Sequence, residues 1–326
     1  MMPTAICLGE AIIDFVALEK GVSLMEASGF AKAPGGAPAN VAAGLARLGV
    51  STGFLGKVGD DPFGWFLNKV LRDAGVDVSQ MRYETTARTG LAFVALSASG
   101  VPEFTFFRHP CADMLMRAEE ISEGYFEGCR VFHFGSITLI VEPSRSATIR
   151  AAELARERGA IVSYDPNLRL SLWPSEAEAR QRMTAALYLA DICKVSEEEV
   201  GFLTNLSGAE GAQALRSQGP ALVAVTSGPR GCASYSERAA VSAPGHRVEV
   251  VDTTGAGDAF VAGMLFMLLE LGVGRGRLGD LGESELQRVA TFANAAGALS
   301  TTVRGAIPSL PTQEQVEALL RRSEGG

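Results

Sequence analysis

The sequence predicts an α/β protein: a doubly wound, mostly parallel sheet with helices on both faces and a small β lid. Two patterns carry this. Short apolar runs alternate with helical stretches along most of the chain, which favours a parallel sheet covered on both sides. One glycine-rich stretch, Asp252 to Phe260, stands between a β-branched run (Val248, Val250, Val251) and a long apolar one (Val261 to Leu271), and reads as strand, loop, helix. A third observation breaks the alternation: two β-rich runs, Thr89 to Leu96 and Glu103 to Arg108, are joined by residues 97–102 and form a hairpin outside the main pattern.

Taken in order, Ala5 to Gly9 reads as a buried strand and Glu10 to Phe30 as irregular. Pro34 to Asn40 reads as a glycine turn opening a helix from Val41 to Leu48, followed by a strand from Ser51 to Lys57. Pro62 suits the first turn of a helix running to Ala74. After the hairpin come a strand from Val131 to Phe134 and a helix from Pro143 to Arg158. A strand from Ile161 to Tyr164 leads to a helix near Pro174, and a strand from Ile192 to Val195 to the acidic start Ser196 to Glu199. A strand from Leu222 to Thr226 runs into Gly228 to Gly231, and the last helices lie near Val261–Leu271, Glu283–Ser300 and Gln313–Arg322. The expected division is a core of residues 1–10, 34–87 and 110–326 and a lid of residues 11–33 and 88–109.

The 326 residues, 47% hydrophobic, suffice for one large α/β core with an appendage. A net charge of −8 without a basic block argues against nucleic acid and against an anionic membrane surface. Five cysteines without a close pair suggest core residues in a reducing cytoplasm, and no secretory leader is recognised at the N-terminus. Three scattered histidines do not suggest a zinc site, and His133, in an apolar run, reads as a core histidine.

In the central loop, Gly255 and Gly257 permit backbone angles a Cβ would forbid. The amides of Gly255, Ala256, Gly257 and Asp258 are expected to line a hollow at the helix N-terminus that attracts anions. A carboxylate at its rim repels such an anion, so Asp258 needs another reason to be there. Accepting a proton from a hydroxyl that attacks phosphorus is one. The plain alternative is a capped helix start. A Walker loop is excluded because no Gly-Lys-Ser/Thr occurs, and a dinucleotide fingerprint because its third glycine position is Phe260.

Other loops at predicted strand ends offer polar groups, where open α/β sheets bind ligands. Asp14 is placed to hold hydroxyls or to cap a turn. Asn40 is placed to bond a hydroxylated ligand or to cap a helix. Asp165, Asn167 and Arg169 follow one strand, and Lys194 and Glu197 the next. Arg169 is read as a phosphoryl or sugar contact or as a surface ion pair. Glu197 reads as a Mg²⁺ ligand through water or as a favourable first-turn charge. Arg108 ends the hairpin and would reach an anion on closure.

Together these stretches resemble the PfkB (ribokinase-like) carbohydrate kinases, with the match nearest to fructokinases. Gly35 to Ala42, continued through Gly56 to Gly64, resembles the first family signature and Asp252 to Phe260 the second. Phe107 to Leu115, Phe132 to Ser136, Tyr164 to Leu170, Lys194 to Glu199 and Arg304 to Pro308 fit the fructokinase subgroup. The resemblance spans Gly9 to Pro311 and implies a ribokinase-like fold. It implies Asp258 as catalytic base with Gly255, Ala256 and Gly257 as anion hole. It implies a sugar site of Asp14, Gly35, Gly36, Asn40, Arg108, Asn167 and Arg169, with Phe104 and Phe106 as lid walls. Lys194, Thr226, Gly228, Gly231 and Asn294 would line an ATP pocket. Asp252, Thr254 and backbone oxygens near Ser300, Val303, Gly305 and Ser309 would hold a monovalent cation such as K⁺. A homodimer is compatible with the resemblance. Two departures stand out: Lys194-Val195-Ser196-Glu197 replaces an Asn-x-x-Glu found in many relatives, and Ser171 stands where close relatives have Pro. The expected activity is ATP- and Mg²⁺-dependent phosphorylation of D-fructose at its 6-hydroxyl. A 2-keto-3-deoxygluconate kinase and a non-catalytic sugar sensor are the competing readings.

Overall fold

The computed structural model describes residues 2–19, 21–96 and 102–324. The hairpin connection at 97–101 therefore lies outside the described residues. The strands in chain order are β1 (Ala5–Leu8), β2 (Ile12–Ala17), β3 (Phe30–Gly35), β4 (Thr52–Gly59), β5 (Met81–Glu84), β6 (Leu91–Leu96), β7 (Pro102–Phe107), β8 (Val131–Gly135), β9 (Ile161–Asp165), β10 (Ile192–Ser196), β11 (Leu222–Thr226), β12 (Gly231–Tyr235) and β13 (Ala240–Pro244). The helices are α1 (Ala37–Arg47), α2 (Pro62–Asp73), α3 (Ser144–Glu157), α4 (Glu176–Ala185), α5 (Glu197–Thr204), α6 (Gly208–Arg216), α7 (Ala256–Glu270), α8 (Glu283–Ser300), α9 (Ala306–Ser309) and α10 (Gln313–Glu324).

A nine-stranded sheet has the order β13-β12-β11-β10-β9-β8-β1-β4-β5. From β11 to β5 all neighbours are parallel; β12 and β13 add an antiparallel edge. Alternation along β1 divides the core: Ala5 and Cys7 face α1, α2, α7 and α8, while Ile6 and Leu8 face α3 to α6. All five cysteines are free and buried in these layers. His133 is buried, with Nδ1 3.1 Å from Ser163 Oγ, and burial pushes its pKa down to about 3.

A second, four-stranded sheet, β3-β2-β6-β7, stands apart from the first. It corrects the expectation that residues 10–30 are irregular. β2 carries Asp14 amid apolar residues and is half-exposed, so its period is weak, and its parallel partner β6 is distant in sequence. β5 and α6 were likewise not anticipated. The opposite error concerns Val248 to Val251, which form no strand. Val250 and Val251 are 60% and 49% exposed, and the N–H groups of Val251 and Asp252 both donate to Thr301 O instead of to a sheet edge. α1 begins at Ala37, which places Asn40 inside its first turns rather than at its cap. Among the described residues no helix is long and apolar enough to cross a membrane.

Candidate active site

α7 starts at Ala256 because Gly255, at φ 82°, turns the chain into the helix without a side-chain cap. A Cβ on Gly255 would sit 2.8 Å from the Ala306 Cβ, so α9 packs directly onto this turn. The first amides of α7 have no intrahelical acceptor. Ala256 is an exception among the amides expected in the hollow: its N–H donates to Thr253 O at 3.2 Å and belongs to the turn.

Asp258 lies on the first turn of α7 and is 9% exposed. Asn40 Nδ2 on α1 donates to its Oδ2 at 2.8 Å. Burial raises the Asp258 pKa to about 6; the Asn40 bond opposes this, Asp165 adds to it, and Lys194 and Arg169 oppose it. The carboxyl is thus balanced between its two states near neutral pH.

Lys194, at the end of β10, donates to Asp165 Oδ2 at 3.0 Å. Its Nζ lies 3.1 Å from where a Cβ on Gly257 would stand, so a cation sits close beside this turn. Burial alone would lower the Lys194 pKa, but Asp165, Glu199 and Asp258 together outweigh it and keep the ammonium charged. Asp165 Oδ1 also accepts the Asn167 N–H at 3.0 Å, closing a turn in which Asn167 takes φ 42°.

Opposite this floor, β2 presents Asp14. Gly35 on β3 leaves space for it, since a Cβ there would lie 2.2 Å from Asp14 Oδ2. Burial pushes Asp14 up to about 7; Arg169 opposes this and Asp258 adds to it, so the three charges share one cleft. Phe106 and Phe104 are on the same face of the second sheet as Asp14, through the registers Asp14–Ala92–Phe106 and Val16–Val94–Phe104. Their rings stack at 5.9 Å, and the Arg169 guanidinium lies 5.8 Å from the Phe104 ring centre. A cleft between this sheet and the loop before α7 is lined by Asp14, Pro34, Asp252, Thr254, Arg304 and Gly305.

Three of the expected site residues have partners within the protein. Arg108, expected to reach a ligand, is 7% exposed at the root of the second sheet and is paired with Asp113. The chain turns back into the core after β7, and a charged group there needs a partner. Glu197, expected near Mg²⁺, points to the surface, where it accepts from Ser227 Oγ at 2.9 Å and pairs with Arg230. The buried carboxylate of that turn is Glu199: its Oε1 accepts the Leu168 N–H and its Oε2 the Ser196 N–H, both at 2.7 Å. The signal for it was present as the capping box Ser196-x-x-Glu199. Asn294, expected to line a nucleotide pocket, donates to Ala243 O at 2.9 Å and ties β13 to α8.

A second cleft lies by the antiparallel edge, lined by Ser227, Arg230, Cys232, Ala233, Ser242, Ala243 and Pro244. Thr226, Gly228 and Gly231 border it; Gly228 and Gly231 have φ 56° and 104°. Asp252 accepts the Thr254 N–H and Thr254 Oγ1 at 2.9 and 2.7 Å through Oδ1, and the Gly305 N–H at 2.9 Å through Oδ2. Nearby, Ser300 and Ser309 are buried and Val303 is exposed. Asp252 is thus held by the turn it closes and by the start of α9.

The geometry agrees with known proteins. Residues 2–313 match the pfkB family carbohydrate kinase domain. The chain is 49% identical over 327 aligned positions to a probable chloroplastic fructokinase (fructokinase-6) of Arabidopsis thaliana, covering 98% of this chain and 83% of that protein. A fructokinase from Xylella fastidiosa with bound ATP superposes with a TM-score of 0.90 at 36% identity, covering 99% of this chain and 100% of that one. A double-mutant fructokinase from Vibrio cholerae O395, bound to fructose, ADP and potassium ion, gives 0.84 at 35% identity, covering 98% of both chains. With a matching domain along nearly its whole length and relatives far above the identity at which only a fold is shared, this chain belongs to the pfkB family of carbohydrate kinases.

Proposed function

We propose that this protein is a fructokinase that transfers the γ-phosphoryl group of ATP to the 6-hydroxyl of D-fructose. The observation that carries the reading is Asp258, buried at the N-terminus of α7 and bonded by Asn40 Nδ2, with Arg169 near enough to act on its charge. Asp258 takes the proton of the hydroxyl as that oxygen attacks phosphorus, which typically contributes roughly 10²–10⁴-fold. The free amides of Gly255 and Gly257 and the Lys194 ammonium beneath them offset charge on the transferring group. Asp14, Asn40 and Arg169 orient the sugar between the floor and the Phe104–Phe106 wall.

ATP fits the strand-end side, with its base toward the cleft by β12 and β13. Its magnesium would be held mainly by phosphate oxygens; Asp165 and Glu199 are the buried carboxylates beside Lys194. The cation supplies charge neutralisation on the phosphates when bound. The Asp252 loop would hold K⁺, which would fix the direction of the Gly255 turn. Support comes from the Vibrio cholerae relative, bound to fructose, ADP and potassium ion.

Two features weigh against a 2-keto-3-deoxygluconate kinase. Asp14 repels a substrate carboxylate when ionised, and Arg108, the cation expected to receive one, is already paired with Asp113. A sugar sensor would not need to keep an open amide hollow and a buried base together. The test is an ADP-release assay with fructose, 2-keto-3-deoxygluconate, ribose and adenosine. The highest kcat/KM is expected for fructose; a higher value for 2-keto-3-deoxygluconate would overturn the assignment.

A further inference from the structure

Gly36 opens α1 without a side-chain cap. It cannot carry one: φ is 106°, and a Cβ would lie 2.3 Å from the Glu10 carbonyl oxygen. The first amides of the helix therefore need an acceptor from another segment. Glu10 supplies it, its Oε1 accepting the Ala37 N–H at 3.0 Å. In the same turn the Asn40 N–H donates to Gly36 O at 2.9 Å, and the Asn40 side chain reaches Asp258. The direction of the Asn40 amide thus follows from how Glu10 pins the start of α1.

Glu10 is 2% exposed, and among the described residues its Oε2 has no hydrogen-bond partner. Burial pushes its pKa up to about 7; Arg108 opposes this and Asp113 adds to it.

We propose that Glu10 is a positioning residue for phosphoryl transfer: by capping α1 from outside, it holds Asn40 in line with Asp258 and keeps that carboxyl ionised. The inference rests on Asp258 as the base. The Asn40 N–H favours the carboxylate, so a misdirected amide raises the Asp258 pKa. The groups whose charge acts on Asp258 are Asp165, Lys194 and Arg169, with Asp14 coupled to it across the cleft; Glu10 is not among them.

The test compares Glu10→Ala, Glu10→Asp and Glu10→Gln in the full chain. Ala lacks the acceptor, and Asp is one methylene too short to reach Ala37. Both should lower kcat roughly threefold to tenfold and move the acid limb of kcat/KM to higher pH by about half a unit. Gln keeps an oxygen for the Ala37 N–H and should restore both. Where Glu10→Ala does not fold, Glu10→Asp decides. A folded Ala or Asp variant with the parental kcat and acid limb, even at a lower Tm, overturns the proposal. So does a Gln variant that shows the same shift as Ala. If Asp258→Asn retains activity, the base assignment fails; if it is inactive while the Glu10 variants behave as the parent, only the role of Glu10 fails.

Discussion

At the residue scale the decisive group is Asp258, because its burial works against its own charge. A folded pKa raised to about 6 means that the folded state holds a proton over a pH range in which the unfolded chain does not. Stability from this residue is present below the ordinary aspartate range and is lost as pH rises through about 6. Asp258→Asn keeps the shape and removes the penalty. It should raise the urea midpoint at pH 8, by at most about 3 kcal/mol of stability, with the gain vanishing near pH 4. The same variant should lose at least about 10²-fold in kcat. A folded variant within a few-fold of the parent rate would remove Asp258 from the chemistry, and a variant less stable at pH 8 would refute the charge argument. For the parent, kcat/KM should fall as pH drops below about 6, as the base takes up its proton.

Among the elements, the second sheet is where the sequence was least legible. Its two central members, β2 and β6, pair across a long separation, and one face of β2 (Ile12, Asp14, Val16) is interrupted by a carboxylate. By contrast β8 to β11 were plain, because both faces are buried and each strand is a short apolar run. The site followed the same logic. Glycine loops at strand ends stand out in the sequence, since only backbone requirements explain those glycines. The partners of Arg108, Glu197 and Asn294, namely Asp113, Arg230 and Ala243, do not, because they are set by packing that no local pattern encodes. The burial of Arg108 changes what its removal should do. Arg108→Ala would leave Asp113 as an unpaired buried charge at the root of the sheet, costing about 3–5 kcal/mol. Urea unfolding checks this; an unchanged midpoint with only a raised sugar KM would restore Arg108 to the ligand.

On the scale of the whole molecule, the two faces of the second sheet are held differently: Phe15 packs against Phe63 of α2 at 5.8 Å and Lys32 lies over Phe66, whereas Arg169 over Phe104 crosses to the core from the face that carries Asp14. Closure over a sugar would therefore involve the face that carries Asp14, where excluding water protects the transfer. Hydrogen exchange should show greater protection of residues 12–17 and 91–96 with fructose and a non-hydrolysable ATP analogue together; equal protection would count against closure. Activity in K⁺ should exceed that in a bulky organic cation at matched ionic strength, and equal rates would dismiss a role for the Asp252 loop in cation binding.

α7 differs from this sheet in how it is held. It is apolar on nearly every side, and small residues bring its neighbours close: Gly44 of α1 against Ala262, and Gly263 against Ala293 and Ala296 of α8. A helix wedged in this way has no room to tilt, so the start of α7 with Asp258 is fixed by the core, apart from the second sheet. The two parts are therefore free to diverge separately. Substitutions on β2, β6 and β7 can remould the shape of the sugar a relative accepts, while the step at phosphorus stays as it is, which is how one framework can serve a range of acceptors.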